Sequence, residues 1–501
     1  SEDYLFTIEE VPPNLTKNRY TYLGNMDEQL YCEAMTDNAY TKQPNDFTQN
    51  IGNGSYSTAD SYVKQVWDGR YTGIRMCNQL LENIDRVPDL DPELKKRYIG
   101  EAKVLRAYSY YELYTKFGDI PYTTKVLSIK ESMSIARTAK ATVIANVLAD
   151  LDEVINGNYL PTSYDADNKG RITRWAAMAI KAKIYLFEGN WTQVKNITST
   201  IMTEGGFKLF GSYAGLFEIA NEYNSEVILD AQYRPTSREH QMMYVFLPPT
   251  LGGYSQLSPL QELVDSYIML DGKTIKETGT SFDESHPYAN RDPRLKATVM
   301  YTGNSYTLAD GTEVVINCEK GEGKDGYGVG SDCSATGYYI KKYWDNTYRA
   351  TLYSGLNPIL IRYADILLMN AEALAELGEL DKTAWDATIK PIRDRAGFTL
   401  ASALEFPEGA SKDKLIEIVR NERRSELALE GHRHKDIIRW RIADNVLNGW
   451  CHGLKTNDVV GTDDGYVRVE NRTFNANKHY LWPIPQAERD LNGNLEQNPN
   501  W

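Results

Sequence analysis

Three glutamates at helical spacing are the first groups in this sequence that could do acid–base chemistry. Glu422, Glu426 and Glu430 recur one helical turn apart within residues 413–440, and paired carboxylates are what general acid–base catalysis requires. Carboxylates flanked by arginine usually have a structural role, so we predict a scaffold helix, with an acid/base pair as the alternative. The same stretch supplies arginines spaced to form ion pairs with these glutamates: Arg423, Arg424 and Arg433.

Aromatic and polar side chains in loops form the second set of candidates. The chain has 35 tyrosines and 9 tryptophans, more than helix packing requires, and many lie in Gly- and Asn-rich segments. A sugar ring presents an apolar C–H face and a rim of hydroxyls, so sugar receptors combine an aromatic plate with Asp, Asn and Arg side chains. For each residue the alternative is a ring packed on its own loop. From residues 37–56 and 301–349 we select as candidate ligand contacts Asp37, Asn38, Tyr40, Phe47, Tyr56, Tyr306, Trp344, Tyr348 and Arg349.

Charge and motif content exclude several other classes of function. The net charge of −14 argues against a nucleic-acid backbone or an anionic membrane surface as partner, since both require clustered Lys and Arg. The glycines at 321, 323 and 326 match G-x-G-x-x-G but are followed by loop, where a dinucleotide site needs a helix N-terminus. The five cysteines include no C-x-x-C pair, and a disulfide between Cys318 and Cys333 is one alternative in a loop-rich segment. We expect no catalytic residue, no metal and no cofactor.

Helical periodicity places most of the candidate loops between paired helices. Apolar residues recur at helical spacing over 63–84, 92–117 and 142–155, and two distant stretches, from Arg174 and from Arg362, share an Arg-aromatic-Ala start and a Gly after about four turns. A helix with small residues on its packing face, a turn and a return helix is the unit of a tetratricopeptide-like array. We therefore predict a mainly α fold, with helical hairpins at 60–117, 142–203, 362–395 and 413–440.

Residues 205–356 lose this periodicity. Short strand-like runs at 227–229, 297–301, 313–317 and 338–343 lie between Gly, Pro and Asn residues, which predicts an irregular, loop-rich lobe. Residues 1–60 and those from 448 onward are also predicted to be irregular. The expected domains are 1–204 with the first hairpins, 205–356 as ligand-binding lobe, and 357–501 with the last hairpins and tail.

The order of sequence blocks resembles the SusD/RagB-type family of outer-membrane nutrient-binding lipoproteins of Gram-negative bacteria. The resemblance extends over nearly the whole chain. Its most specific blocks are EAKVLRAYSYYELYTKFGDIPY from Glu101, IRYADILLMNAEALAELG from Ile361, RNERRSELALEGHRHKDIIRW from Arg420 and YLWPIPQAERDLNGNLEQNPNW from Tyr480.

This resemblance implies a helical scaffold that captures oligosaccharides without cleaving them and passes them to a TonB-dependent, SusC-like outer-membrane transporter. It also implies a surface-exposed lipoprotein, anchored by a lipid on a Cys just before Ser1; since no Met begins the sequence, we expect a mature form. Asp37 and Asn38 resemble the loop acid of the family, and Trp344 with Arg349 lies where a platform and a polar clamp are often found. The alternatives are a peptide-binding receptor of the same fold and a glycoside-active enzyme that uses loop carboxylates.

Overall fold

The computed structural model describes residues 17–42, 48–348 and 351–501. Two predicted ligand contacts, Phe47 and Arg349, lie outside these residues. The described chain forms two compact units, each built from separated stretches of sequence. Unit 1 contains 17–25, Tyr56–Glu188 and Asn475–Trp501, and unit 2 contains Met26–Ser55 and Gly189–Phe474, apart from the undescribed positions.

The helices of the described residues, in chain order, are α1 (Met26–Tyr31), α2 (Gln49–Asn53), α3 (Ser61–Asn83), α4 (Pro92–Phe117), α5 (Ile129–Ser132), α6 (Lys140–Asn156), α7 (Arg174–Glu188), α8 (Trp191–Glu204), α9 (Met242–Phe246), α10 (Gln261–Ser266), α11 (Pro293–Thr298), α12 (Tyr363–Leu377), α13 (Lys382–Ala387), α14 (Ile389–Ala396), α15 (Ala401–Leu404), α16 (Lys412–Glu426), α17 (Arg433–Arg439), α18 (Ala443–Val446) and α19 (Gln486–Leu491).

The strands are short. Four antiparallel pairs, β1 with β3, β2 with β8, β4 with β7 and β5 with β6, accompany one three-stranded sheet in the order β10-β11-β9. Their bounds in the described residues are β1 (Ala39–Thr41), β2 (Val227–Asp230), β3 (Leu257–Pro259), β4 (Val299–Met300), β5 (Ser305–Thr307), β6 (Glu313–Val315), β7 (Tyr339–Ile340), β8 (Ile359–Arg362), β9 (Gly449–Lys455), β10 (Thr462–Asp463) and β11 (Tyr466–Arg472).

In unit 1, successive long helices pack on one another as the sequence predicts. Helix α3 begins where the Asp60 carboxylate accepts hydrogen bonds from two backbone N–H groups of the first turn. Helix α4 begins at Asp91 with Pro92 in its first turn and ends at Gly118. Helix α3 packs on α4, α4 on α6, and α6 on α7. These contacts form the predicted hairpin over 60–117 and the 142–188 part of the hairpin predicted over 142–203, whereas α8 belongs to unit 2 and packs on α12.

In unit 2, α12 is the centre of a second helical layer. It packs on α8, α14 and α16, and one apolar core joins Leu368 of α12, Trp385 of α13, Ile392 of α14 and Val419 of α16. The mainly α, tetratricopeptide-like architecture is therefore confirmed. Helices α16 and α17, linked by the Arg423–Asp436 ion pair at 2.7 Å, lie in the last predicted hairpin. Helix α16 ends at Glu426 rather than at Gly431, because Leu429 has a φ of +62°, which a continuing helix does not allow.

The predicted irregular lobe has a short strand at each of the four predicted strand-like runs. In chain order these strands are β2, β4, β6 and β7. It also contains three short helices, α9 to α11, that its weak periodicity does not reveal. The predicted irregularity of 448–501 is wrong: Gly449–Lys455 and Tyr466–Arg472 pair in a sheet. Strand β9 lacks the apolar–polar alternation that marks a strand in sequence, and β11 alternates only from Val467 to Glu470. The pairing of the two strands contains register shifts.

The start of the chain also differs from the prediction. Helices α1 and α2 and strand β1 lie within 26–53, where irregular chain was expected. Cys318 and Cys333 are free thiols, so the disulfide alternative does not apply. Within the described residues, no helix combines the length and the apolar character needed to cross a bilayer. The division into 1–204, 205–356 and 357–501 stays a prediction about domains.

Candidate functional site

The glutamates that first suggested chemistry lie in a buried network of ion pairs in unit 2. The Glu426 carboxylate is 2.9 Å from Arg362 Nη1 and 2.8 Å from Arg294 Nη1, and it also pairs with Arg395. Glu430 pairs with Arg362 and with Lys342, at 2.8 and 3.0 Å. These carboxylates are almost fully buried, so they are out of reach of a ligand.

Electrostatics supports the same structural role. Burial alone would raise the pKa of Glu426, but the guanidinium groups of Arg395, Arg362 and Arg294 outweigh it and hold that pKa well below its ordinary value. The pKa of Glu430 is lowered in the same way, chiefly by Arg362 against the effect of burial. A general acid requires the opposite shift. The network therefore stabilises the fold and does not present a catalytic pair.

Asp37 and Asn38 belong to this buried framework as well. The two oxygens of Asp37 accept from Arg433 Nε and Nη2, each at 2.9 Å, and Arg424 Nη2 lies 3.2 Å from Asp37. The Asn38 amide donates to Glu33 at 2.9 Å and accepts from Arg424 Nε at 2.9 Å. Both residues are buried with their polar atoms engaged in this framework, and the ligand contacts predicted for them stay a prediction.

Tyr306 and Tyr56 are likewise interior residues. Tyr306 is fully buried and donates its hydroxyl to the Ile340 carbonyl at 2.7 Å. Tyr56, in unit 1, is 5% exposed and packs on His479 and Trp501 at centroid distances of 5.3 and 4.8 Å. Ring burial of this kind stabilises a core, and the ligand contacts predicted for these two tyrosines stay a prediction.

The structure brings Trp344 and Tyr348 together at the surface of unit 2. Their rings are 5.0 Å apart, and the Trp344 ring stands edge-on to buried Tyr306 at 5.4 Å. Trp344 Nε1 donates to the Thr307 carbonyl at 2.8 Å, which fixes the orientation of the indole. Both rings are partly exposed and rest on the core of the lobe. A partly exposed aromatic step held by a buried ring is suited to stacking on an apolar ligand face.

Tyr40 is partly exposed on β1, outside this aromatic step. Its hydroxyl accepts from Gln49 Nε2 at 3.3 Å, and its backbone pairs with Ser258 of β3. Within the described residues, its ring and hydrogen-bond contacts do not reach Trp344 or Tyr348. Tyr40 therefore stays a separate candidate.

A cavity of about 500 Å³ in unit 1 was not predicted from the sequence. Trp67, Tyr71 and Arg75 of α3 line it together with Leu127 and with Glu488 of α19. The Trp67 and Tyr71 rings are 4.8 Å apart. The i, i+4 spacing of these three residues on α3 is the available signal, but the apolar periodicity over 63–84 predicts only a helix that packs on its neighbours.

Exposed aromatic residues on unit 2 were also missed. Trp450 is 43% exposed on β9, with the Arg468 guanidinium 5.5 Å from its ring, and Tyr254 stacks on Tyr244. Sequence composition does not distinguish these rings from buried ones. No group of three or more metal-ligating side chains occurs among the residues that the structure describes.

Helical-repeat scaffolding with partly exposed aromatic rings on a loop-rich lobe defines a class of ligand-binding proteins. A model described as the SusD family matches residues 216–501, more than half of the chain, so the chain belongs to the SusD family. A second model, described as starch-binding and associating with the outer membrane, matches residues 8–186.

Individual relatives agree with this assignment. A SusD-like protein of Formosa agariphila is 27% identical over 87% of this chain and 82% of its own length. The crystal structure of a SusD-like carbohydrate-binding protein from Bacteroides fragilis is 28% identical, with a TM-score of 0.84 over 93% of this chain and 92% of that chain. A laminarin-binding SusD-like protein shares the fold, with a TM-score of 0.72 at 24% identity over 96% of this chain and 97% of that chain.

Proposed function

We propose that this protein captures oligosaccharides at the outer-membrane surface without cleaving them. The observation that carries the proposal is the Trp344 and Tyr348 step on unit 2. Its indole is held in one orientation by the bond to Thr307, so little conformational entropy is lost when a sugar ring stacks on it. Among the predicted contacts that the structure describes, those that are partly exposed are Trp344, Tyr348 and Tyr40.

Family membership supports the ligand class. The Bacteroides fragilis relative is described as carbohydrate-binding, and the second matching family model as starch-binding. A fold by itself does not specify function; the partly exposed rings of Trp344 and Tyr348 support a sugar ligand independently of the likeness.

The membrane location and the partner are part of the same proposal. The description of the second family model includes association with the outer membrane, and we propose attachment through a lipid anchor. The bound oligosaccharide is then passed to a TonB-dependent, SusC-like transporter. Copurification of that transporter with the lipidated protein from outer membranes tests this step, and its failure to copurify after mild crosslinking argues against the partnership.

Two alternative functions are compatible with some of these observations. A peptide receptor of the same fold would use the same aromatic step for apolar side chains, and competition between oligopeptides and oligosaccharides separates the two ligand classes. A glycoside-active enzyme would need an accessible carboxylate pair, whereas Asp37 and Glu426 are buried against arginines. Intact ligand after prolonged incubation with the protein argues against the enzyme.

Isothermal titration against a panel of neutral oligosaccharides tests the proposed function. We expect at least one ligand to bind the wild-type protein and to bind Trp344→Ala and Tyr348→Ala more weakly, with Tyr40→Ala measured alongside. Trp450→Ala is the matched control, because it also removes a partly exposed indole from unit 2. Equal affinity of the wild-type protein, Trp344→Ala and Tyr348→Ala would remove the aromatic step as the site, and a Tyr71→Ala titration would then test the 500 Å³ cavity.

A further inference from the structure

A second cavity, of about 310 Å³, lies along one face of α16 in unit 2. Residues 413, 417, 420 and 424 of α16 are three or four positions apart, so they share one face of the helix. The cavity has an acidic end formed by Asp413 and Glu417 and a basic end that includes Arg424 and Arg433. Its volume is at the lower end of the range for small-molecule sites.

Two arginines share a single carboxylate at the basic end. Arg433 donates to both carboxylate oxygens of Asp37 at 2.9 Å, while Arg424 Nη2 lies 3.2 Å from Asp37 Oδ2. The other hydrogen bonds of Arg424 go to neutral acceptors, the Asn38 side chain at 2.9 Å and the Asp37 carbonyl at 3.2 Å. Arg424 Nη1 has no hydrogen-bond partner in the described part of the chain.

The surroundings leave the charge of Arg424 incompletely balanced. Burial and the neighbouring Arg433 lower the pKa of Arg424 to about 10, although Asp37 and Glu262 act in the opposite direction. Glu262 is itself bound to His452 at 2.7 Å. Two arginines at this cavity share the single carboxylate of Asp37. The positive charge that this carboxylate does not balance favours binding of an added oxyanion.

The third arginine of the cavity is only weakly paired. Arg420 lies 3.5 Å from Glu376, a longer ion pair than those of the buried network, and its guanidinium is 4.7 Å from the Trp440 ring. The side chain of Arg420 is 30% exposed, so it can turn toward a ligand at modest cost. Ile416 and Ile442 supply apolar surface to the same cavity.

We propose that this cavity binds one acidic sugar residue, a hexuronate, through its carboxylate. The carboxylate accepts one hydrogen bond from Arg424 Nη1 and two parallel hydrogen bonds from the weakly paired Arg420, whose guanidinium matches a carboxylate in this geometry, and the nearby charge of Arg433 adds attraction. A hydroxyl on the far side of the ring donates to Glu417, which lies one helical turn before Arg420 on the same face; a simple anion would be repelled by this carboxylate. The cavity is larger than a lone anion needs and fits a ring-sized body. The inference depends on the proposed function only for the ligand class, because it uses a site without Trp344.

Titration with glucuronic acid and with glucose, at low and at moderate salt, tests this site. We expect glucuronic acid to bind and glucose to bind at least tenfold more weakly. Arg424→Gln and Arg420→Gln should each weaken glucuronic acid at least fivefold, whereas Lys412→Gln, which removes one exposed cation from the same helix, should not. Because Arg424 also holds Asn38, thermal unfolding is measured for each variant. If Arg424→Gln does not fold, Arg420→Gln decides.

Three results would overturn the proposal: equal binding of glucuronic acid and glucose, unchanged affinity in Arg420→Gln, or inorganic sulfate that binds as tightly as glucuronic acid and displaces it. The last would indicate a simple anion site. Neutral oligosaccharide binding that depends on Trp344 would survive each of these results. Loss of that binding in Trp344→Ala with glucuronic acid affinity unchanged would show that the two sites are separate.

Discussion

Arg433 donates hydrogen bonds of 2.9 Å to both carboxylate oxygens of Asp37, although the two residues are 396 positions apart in the sequence. The pair fixes the chain just before β1 against the hairpin of α16 and α17. It also explains why Asp37, which resembles a ligand-binding loop acid in sequence, lies in the interior.

Asp37→Asn should destabilise the protein strongly. The substitution leaves two buried guanidinium groups without their shared anion, and breaking a buried ion pair costs about 3–5 kcal/mol. Denaturant unfolding with and without the substitution measures the difference. The control is Asp386→Asn in the exposed Lys382–Asp386 pair, where a loss of about 0–1 kcal/mol is expected. Similar losses in the two variants would contradict the structural role of Asp37.

Trp344→Ala should weaken the best oligosaccharide ligand by about 30-fold, because truncating a central aromatic anchor typically costs about 2 kcal/mol. Trp344→Phe keeps an aromatic face but loses the Nε1 hydrogen bond to the Thr307 carbonyl. Its affinity for the ligand should therefore lie between those of the wild-type protein and Trp344→Ala. Titration calorimetry gives the order. Equal affinities of Trp344→Phe and Trp344→Ala would show that the ring face is not what the ligand contacts.

Tyr306→Phe should lower stability while leaving ligand affinity unchanged. The variant keeps the ring under Trp344 and loses the hydroxyl bond to the Ile340 carbonyl, which costs about 1 kcal/mol. Tyr40→Phe serves as the comparison, because its hydroxyl is partly exposed and accepts a longer bond of 3.3 Å. A loss of oligosaccharide affinity in Tyr306→Phe at unchanged stability would indicate that the Tyr306 hydroxyl contacts the ligand.

Glu33 should give the protein a pH dependence that Glu33→Gln lacks. Burial raises the pKa of Glu33 to about 7, although hydrogen bonds from Asn38 and from the Gly431 N–H lower it. The folded state therefore holds a proton that the unfolded state has released between about pH 4.5 and pH 7. Stability consequently falls as pH rises through this window, by up to about 3 kcal/mol.

Urea unfolding of the wild-type protein and Glu33→Gln from pH 5 to pH 8 measures this contribution. The glutamine loses one hydrogen bond at every pH, which lowers the stability of Glu33→Gln by a constant amount. The test is therefore how the stability difference between the two proteins changes with pH, and not how large it is at one pH. We expect Glu33→Gln to gain stability relative to the wild-type protein as pH rises. A constant difference across the range would mean that Glu33 is already ionised in the folded protein at pH 5.

Long helices were predictable because their signals are local. Helical spacing over 92–117 predicted α4, and the structure places this helix at Pro92–Phe117 with Asp91 as its N-cap and Gly118 after its last residue. The repeat from Arg362 likewise identified α12. The sheet of β9 and β11 was not predictable, since its pairing joins residues across an irregular turn with register shifts.

The candidate site was only partly predictable. Trp344 and Tyr306 occur in similar loop sequence, yet one is partly exposed and the other fully buried. Which side of a ring meets solvent depends on segments that pack over it, and these segments are distant in the chain. Composition therefore identified the lobe but not the individual contacts.

By itself the sequence determined the helical scaffold and the family, because helix periodicity, caps and ordered blocks are properties of neighbouring residues. The tertiary structure decided the roles of the charged and aromatic side chains. Asp37 became an internal ion-pair partner and Trp344 a solvent-facing plate, since burial and charge balance depend on residues brought together only by folding.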